Sequence, residues 1–240
     1  MEPAEEQLMN RRQSRTLIAF VAMLFMASSA IGQDGKSSLY PKMAPLDQYL
    51  IADRNAEIVL AQSAAPKSTS GDAKVLVLGR KGYETAIEGK NGFVCMVLRS
   101  WAASLDDPEF WNPKLRAPIC FNAAAAESDL PHITKKTEWA LAGLSKAEIV
   151  DKIKVAIENK QLQTPQPGAM CYMLSKQGYL SDRNGHWHPH LMFFVPPTDP
   201  ASWGAGMAGS PMFGFKDSLE QVTVFLLPVE RWSDGSVAGN

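Results

Sequence analysis

Long apolar runs are scarce in this 240-residue chain, and the most extended one, LIAFVAMLFM at 17–26, is too short for a membrane span. Crossing the hydrocarbon core takes about 20 apolar residues. Charge imbalance is also missing. Beyond residue 32 the chain carries 21 Lys plus Arg against 22 Asp plus Glu, which argues against the basic footprint of a nucleic-acid binder. Cysteine and histidine are few, at three and four. Three cysteines allow at most one intramolecular bridge. No G-x-S-x-G elbow, H-E-x-x-H helix or P-loop occurs, so no motif assigns an enzyme class.

What is present begins with a leader. Arg11, Arg12 and Arg15 precede the apolar run, and Ala27, Ser28, Ser29, Ala30 and Gly32 follow it. This is the basic, apolar and small-residue order of a secretory signal peptide. We expect residues 1–32 to be removed, with Gln33 as the new N-terminus; a cut after Ala30 is the alternative. Glu2, Glu5 and Glu6 cancel the three arginines, a conflict that translation from Met9 would remove. No Cys lies near either cut, so no lipid anchor is expected. Ser14 and Arg15 stand where the twin-arginine route wants apolar residues, which favours general secretion. The expected location is the periplasm or the medium, with no membrane contact after cleavage, and there disulfides persist.

Composition shifts then lay out the elements. Residues 33–45 read as an extended lead-in. Leu46, Tyr49, Leu50, Ala56, Val59 and Leu60 recur at helical spacing and predict an amphipathic helix over 46–63, closed by Pro66. KVLVLG (74–79), YETAIEG (83–89) and FVCMVLRSW (93–101) predict a three-stranded antiparallel meander, with Asn91-Gly92 suited to a tight hairpin turn. The proline-bearing stretch 102–118 reads as a surface loop. Asn122 caps a short helix, residues 133–143 form another, and Ser145 with Glu148 makes a capping box for a third. AMCYMLS (169–175), HWHPHLMFFV (186–195) and QVTVFLLPV (221–229) return to strands, with a loop at 196–216. The expected fold is α+β. A mainly antiparallel sheet, the N-terminal meander plus C-terminal strands, has a helical segment between and forms one domain over 46–240.

The chemistry concentrates in His186, His188 and His190. On an extended strand they share a face, and imidazole is the commonest protein ligand of transition metals. The outer two lie about 13 Å apart at Cα, so a zinc-type ion would need two adjacent histidines plus His132, Glu138, Asp182 or Glu230. The bland alternative has them bonding backbone groups on an edge strand marked by Pro189. Cys95 and Cys120 are the suggested bridge, on proximity alone. A nucleophilic Cys171 or Cys120 is disfavoured, because apolar flanks raise a thiol pKa. Gly204, Gly206 and Gly209 spell a G-x-G-x-x-G, but in a loop rather than between strand and helix. Trp101, Phe110, Trp111, Trp187 and Trp203 can line a groove or lid the core.

YETAIEGKNGFVCMVLRSW (83–101), DPEFWNP (107–113), PGAMCYMLS (167–175) and GHWHPHLMFFVP (185–196) together resemble a group of uncharacterised exported bacterial proteins. The resemblance covers most of the chain after the leader and implies bacterial export and a single domain. It supplies no activity, cofactor or site residue. The favoured reading is an exported binding module for a small molecule or metal at the His186, His188 and His190 face. A hydrolase using that face and a structural envelope protein are the alternatives.

Overall fold

Asp53 breaks the long helix expected over 46–63. Its carboxylate accepts from the backbone N–H groups of Asn55 and Ala56, a cap that starts helix α1 (Arg54–Gln62) only there. The residues before it make one tight turn, Leu46–Gln48, after Pro45. The inward face also differs from the apolar pattern. Glu57 and Ala61 are buried, while Val59 is 63% exposed. A short helix α2 (Lys67–Ser70) leads into the sheet.

The computed structural model describes residues 39–183, 185 and 187–239; the leader with its cleavage sites, and His186, lie outside these residues. Strands β1 (Lys74–Gly79) and β2 (Gly82–Ile87) form the expected antiparallel hairpin. Strand β3 (Val94–Leu98) departs from the meander by pairing in parallel with β1, so β1 lies in the middle. The cause is the Asn91 turn. Asn91 Oδ1 accepts from the Phe93 N–H and its Nδ2 donates to the Thr69 carbonyl. The chain is thereby led past the start of β1, where Phe93 O accepts from Lys74 N.

Strand β4 (Ala117–Phe121) lies inside the stretch expected to be loop. Pro118 is opposite Val97 and two residues from the close Cys95–Cys120 pair (Cα–Cα 4.0 Å). That spacing marks positions whose N–H groups point away from the partner strand. On its other side β4 pairs with the next strand only at Cys120 and Phe121, so the missing proline N–H breaks no ladder.

Helices α3 (Ala123–Ser128), α4 (Leu130–Leu141) and α5 (Lys146–Glu158) follow. Asn122 caps α3 through the Ala125 N–H, and the Ser145–Glu148 box opens α5. Strands β5 (Met170–Met173), β6 (His190–Val195), β7 (Phe213–Asp217) and β8 (Val222–Pro228) complete an eight-stranded sheet ordered β2-β1-β3-β4-β5-β6-β8-β7. The fold is α+β with a mostly antiparallel sheet. β7 falls in the expected loop 196–216. β6 is an inner strand between β5 and β8, so Pro189, just before it, marks no edge.

Alternation divides the strand residues between two layers. Val75, Cys95, Val97 and Cys120 face Ala61, Ala64 and Ala65 at and after α1. Met96, Ile119, Phe121, Cys171 and Phe194 face Ala125, Leu130 and Ile133 of α3 and α4. A third cluster joins Tyr49, Trp101, Phe110 and Trp111 to Ile149 and Ile153 of α5. The 102–118 stretch is therefore irregular but not superficial, with Phe110 at 0% and Trp111 at 3% exposure. Burying a side chain such as Phe110 contributes about 1.5–3 kcal/mol.

Candidate functional site

Helix α4 carries polar residues where its core-facing side would be apolar. His132 and Lys136 are four residues apart and so share a face, and both are buried. Asp129 stands just before the helix, one turn ahead of His132. From the sheet side comes Glu220, in the β7–β8 turn. That turn is set by Asp217, whose Oδ1 accepts from the N–H groups of Leu219 and Glu220, and by the left-handed backbone of Gln221 (φ 56°).

These groups meet as a buried ion cluster. Glu220 Oε1 lies 2.5 Å from Lys136 Nζ, and Oε2 lies 3.3 Å from His132 Nδ1. Lys136 Nζ also donates to the carbonyls of Ala102 (3.0 Å) and Ala103 (3.4 Å). His132 Nε2 is 2.9 Å from the Gln163 carbonyl. Although Nδ1 is within ion-pair range of Glu220, no aligned hydrogen bond satisfies it. It and Ser100 Oγ are the buried side-chain polar atoms so left among the described residues.

Two opposed effects act on each ionisable group. Burial favours neutral imidazole at His132, but the Glu220 carboxylate and the Gln163 carbonyl outweigh it and raise the pKa. With acceptors facing both ring nitrogens, the imidazolium is the form that fits. Burial likewise works against ionised Glu220, yet Lys136 and His132 hold its pKa down to about 2. Asp129 makes no ion pair of that closeness, and the charge of His132 favours its ionised form only weakly. Burial raises its pKa to about 6, against a smaller opposing pull from the Ser128 hydroxyl, which donates to Oδ2 at 2.7 Å.

The cluster floors a cavity of about 250 Å³ between α4 and strands β6, β8 and β7. Ile133, Pro165, Phe194, Phe215, Val222 and Val224 supply apolar wall. Phe194, Phe215 and Val224 share one sheet face by register, since Val224 is opposite both phenylalanines. A wider hollow of about 600 Å³ lies between 41–43 and 143–147. Its Lys146 is already committed to the Asp107 carbonyl (2.8 Å) and the Phe110 ring.

The residues singled out from sequence fall elsewhere. His188 is exposed and precedes the strand, while His190 is buried, with Nδ1 2.7 Å from the His188 carbonyl and its ring edge-on to Trp187. Burial lowers the His190 pKa, partly offset by that carbonyl. Of the outside ligands considered, Glu138 pairs with Lys135, and Asp182 accepts from Tyr40, Tyr179 and Lys114. Glu230 is exposed and His132 belongs to the Glu220 cluster. Among the described residues no three His, Cys, Asp or Glu side chains gather as a metal-ligand group. Nor, among the described residues, is any helix long and apolar enough to cross a membrane.

Cys95 and Cys120 are disulfide-bonded across β3 and β4. Cys171 is a buried free thiol whose pKa burial raises well above the ordinary value, which suits an inert residue. Gly204, Gly206 and Gly209 all have positive φ within the loop before β7. Trp101 and Trp187 are core, bonded through Nε1 to Thr137 Oγ1 and to the Ser175 carbonyl. Trp203 stacks on Phe225 and stays half exposed.

Sequence reading passed over Asp129, Lys136 and Glu220. The first two had a signal: D-x-x-H-x-x-x-K from 129 to 136 places three ionisable groups at helical spacing on a face that should be apolar. Glu220 had none, because its approach depends on the β7–β8 turn. Compared with protein-family models, curated proteins and solved structures, the chain matches none.

Proposed function

We propose that this chain is an exported binding protein that takes a small ligand into the cavity between α4 and strands β6–β8. The observation that carries this reading is a concave, apolar-walled space floored by the buried His132, Lys136 and Glu220. An apolar pocket with a few convergent polar groups is the usual form of a ligand site. Its volume is below the range of about 300–1,000 Å³ typical of drug-sized ligands, so the occupant is a single ring or a short chain with a head group.

A hydrolase is the second reading, because a histidine does meet a carboxylate in a pocket here. Three features favour binding over turnover. Glu220 spends both oxygens on Lys136 and His132, Lys136 spends its ammonium on Glu220 and two carbonyls, and His132 Nε2 is held by Gln163. A general base needs a lone pair facing its substrate, and the imidazolium form of His132 has none. The exposed His188 keeps a metal role open for the histidine segment, but the cavity has the stronger claim.

The test is a ligand-observed NMR screen of one-ring fragments against the mature protein and its Val224→Phe variant, which fills the cavity. Fragments bound by the wild type and released by the variant support the reading. A screen with no binders, or with binders indifferent to Val224→Phe, sinks it.

A further inference from the structure

The charges around the cavity are unequally committed, and this points to the class of ligand. Lys136 and His132 are both turned to Glu220. Asp217 accepts from Ser104 through Oδ2 and from two backbone N–H groups through Oδ1. Lys216 borders the cavity from the edge strand, where it is opposite Thr223, so by alternation its side chain leaves the strand on the face away from Val222 and Val224. On the helix side of the cavity, Asp129 is what remains. Its Oδ2 takes the Ser128 hydroxyl and no hydrogen bond to Oδ1 is made by the described residues.

An incompletely paired carboxylate at the wall of an apolar cavity is costly, and a cation that reaches it recovers the missing interaction. A ligand carboxylate would meet the opposite situation, because Lys136 and His132 are already turned to Glu220 and Asp129 would repel it. We infer that the cavity selects a small primary or secondary amine on an apolar body, with the ammonium on Asp129 and the body against Phe194, Phe215 and Val224. This rests on the cavity being a ligand site and goes further in naming the ligand's chemistry.

Three probes of one shape separate the two ideas: 2-phenylethylamine, 2-phenylethanol and phenylacetate, titrated by calorimetry at pH 7.5 into wild type and Asp129→Asn. The amine is expected to bind at least tenfold more tightly than the alcohol, with phenylacetate weakest. Asp129→Asn should abolish the amine's advantage and leave alcohol affinity within about threefold. Alcohol or phenylacetate binding as well as the amine overturns the amine class while leaving the pocket standing. Failure of all three overturns both. A retained amine preference in Asp129→Asn, folded with a normal melting transition, removes Asp129 from the role and overturns the inference.

Discussion

Glu57 and Arg99 meet under β1 and β3 with 2% and 0% of their side chains in solvent, whereas Glu220 meets Lys136 and His132 at the floor of a cavity. In the first pair every nitrogen of Arg99 has a partner: Nε donates to the Tyr49 carbonyl, Nη1 to the Val97 carbonyl and Nη2 to Glu57. Glu57 also accepts from the Leu78 N–H. In the second cluster Nδ1 of His132 is left without an aligned partner, and Asp129 beside it keeps an uncommitted oxygen. Burial of charge is common to both. Surroundings separate a brace, which ties α1 to the sheet within close packing, from a site, which opens on a space that a ligand can enter.

The brace should give the largest effect when broken. Removing one partner of a buried ion pair strands the other, so Arg99→Met is expected to cost about 3–5 kcal/mol in urea unfolding. Replacing both, Glu57→Leu with Arg99→Met, should recover part of that loss. A single variant within 1 kcal/mol of wild type, taken as about the value of an exposed pair, would place this pair with surface salt bridges. Next comes the disulfide, which spans 25 residues of chain. Replacing both cysteines by Ala should lower stability by about 2–4 kcal/mol without altering affinity for cavity ligands, measured by unfolding and calorimetry on the same preparation.

The cavity cluster should respond to pH. A carboxyl whose folded pKa is raised destabilises the fold once ionised, so the Asp129 cost is absent below about 3.8 and complete above about 6. Asp129→Asn should therefore raise stability by about 1–2 kcal/mol at pH 8, an advantage that fades toward pH 4. His132 adds to the same trend. Its raised pKa contributes stability below the ordinary value of 6.5 that is lost as pH rises through the folded value. Melting temperatures of wild type and variant from pH 4 to 8 decide this, and parallel curves would refute the assignment. The smallest effect concerns neither cluster: Ser145→Ala removes the α5 cap and should cost about 1 kcal/mol with cavity binding unchanged.

The same contrast explains what was legible in the sequence. Local chemistry was: Asn122 and the Ser145–Glu148 box cap helices as their side chains dictate, and β1 and β2 pair as a hairpin, although Thr85 and Ile87 stay exposed. Wherever a distant partner decides the outcome, local pattern misled. Glu57 turns inward on α1 because Arg99 lies 42 residues away, so Val59 is displaced to solvent. β3 moves beside β1 because Asn91 bonds back to Thr69. β4 was hidden by Pro118, whose missing N–H is harmless only because β5 is short there. At the site, Asp129, His132 and Lys136 left a helical trace, whereas Glu220 arrives from 84 residues beyond Lys136. The histidine run 186–190 drew attention through composition, yet His190 serves the packing of Trp187.

The most direct test follows the methyl signals of Ile133, Val222 and Val224, together with those of Leu78 and Val97 beside the brace, during titration with 2-phenylethylamine. Saturable shifts confined to the first set are predicted, with the second unmoved. Shifts at Leu78 and Val97 but not at the cavity, or none at either, would contradict the distinction between site and brace.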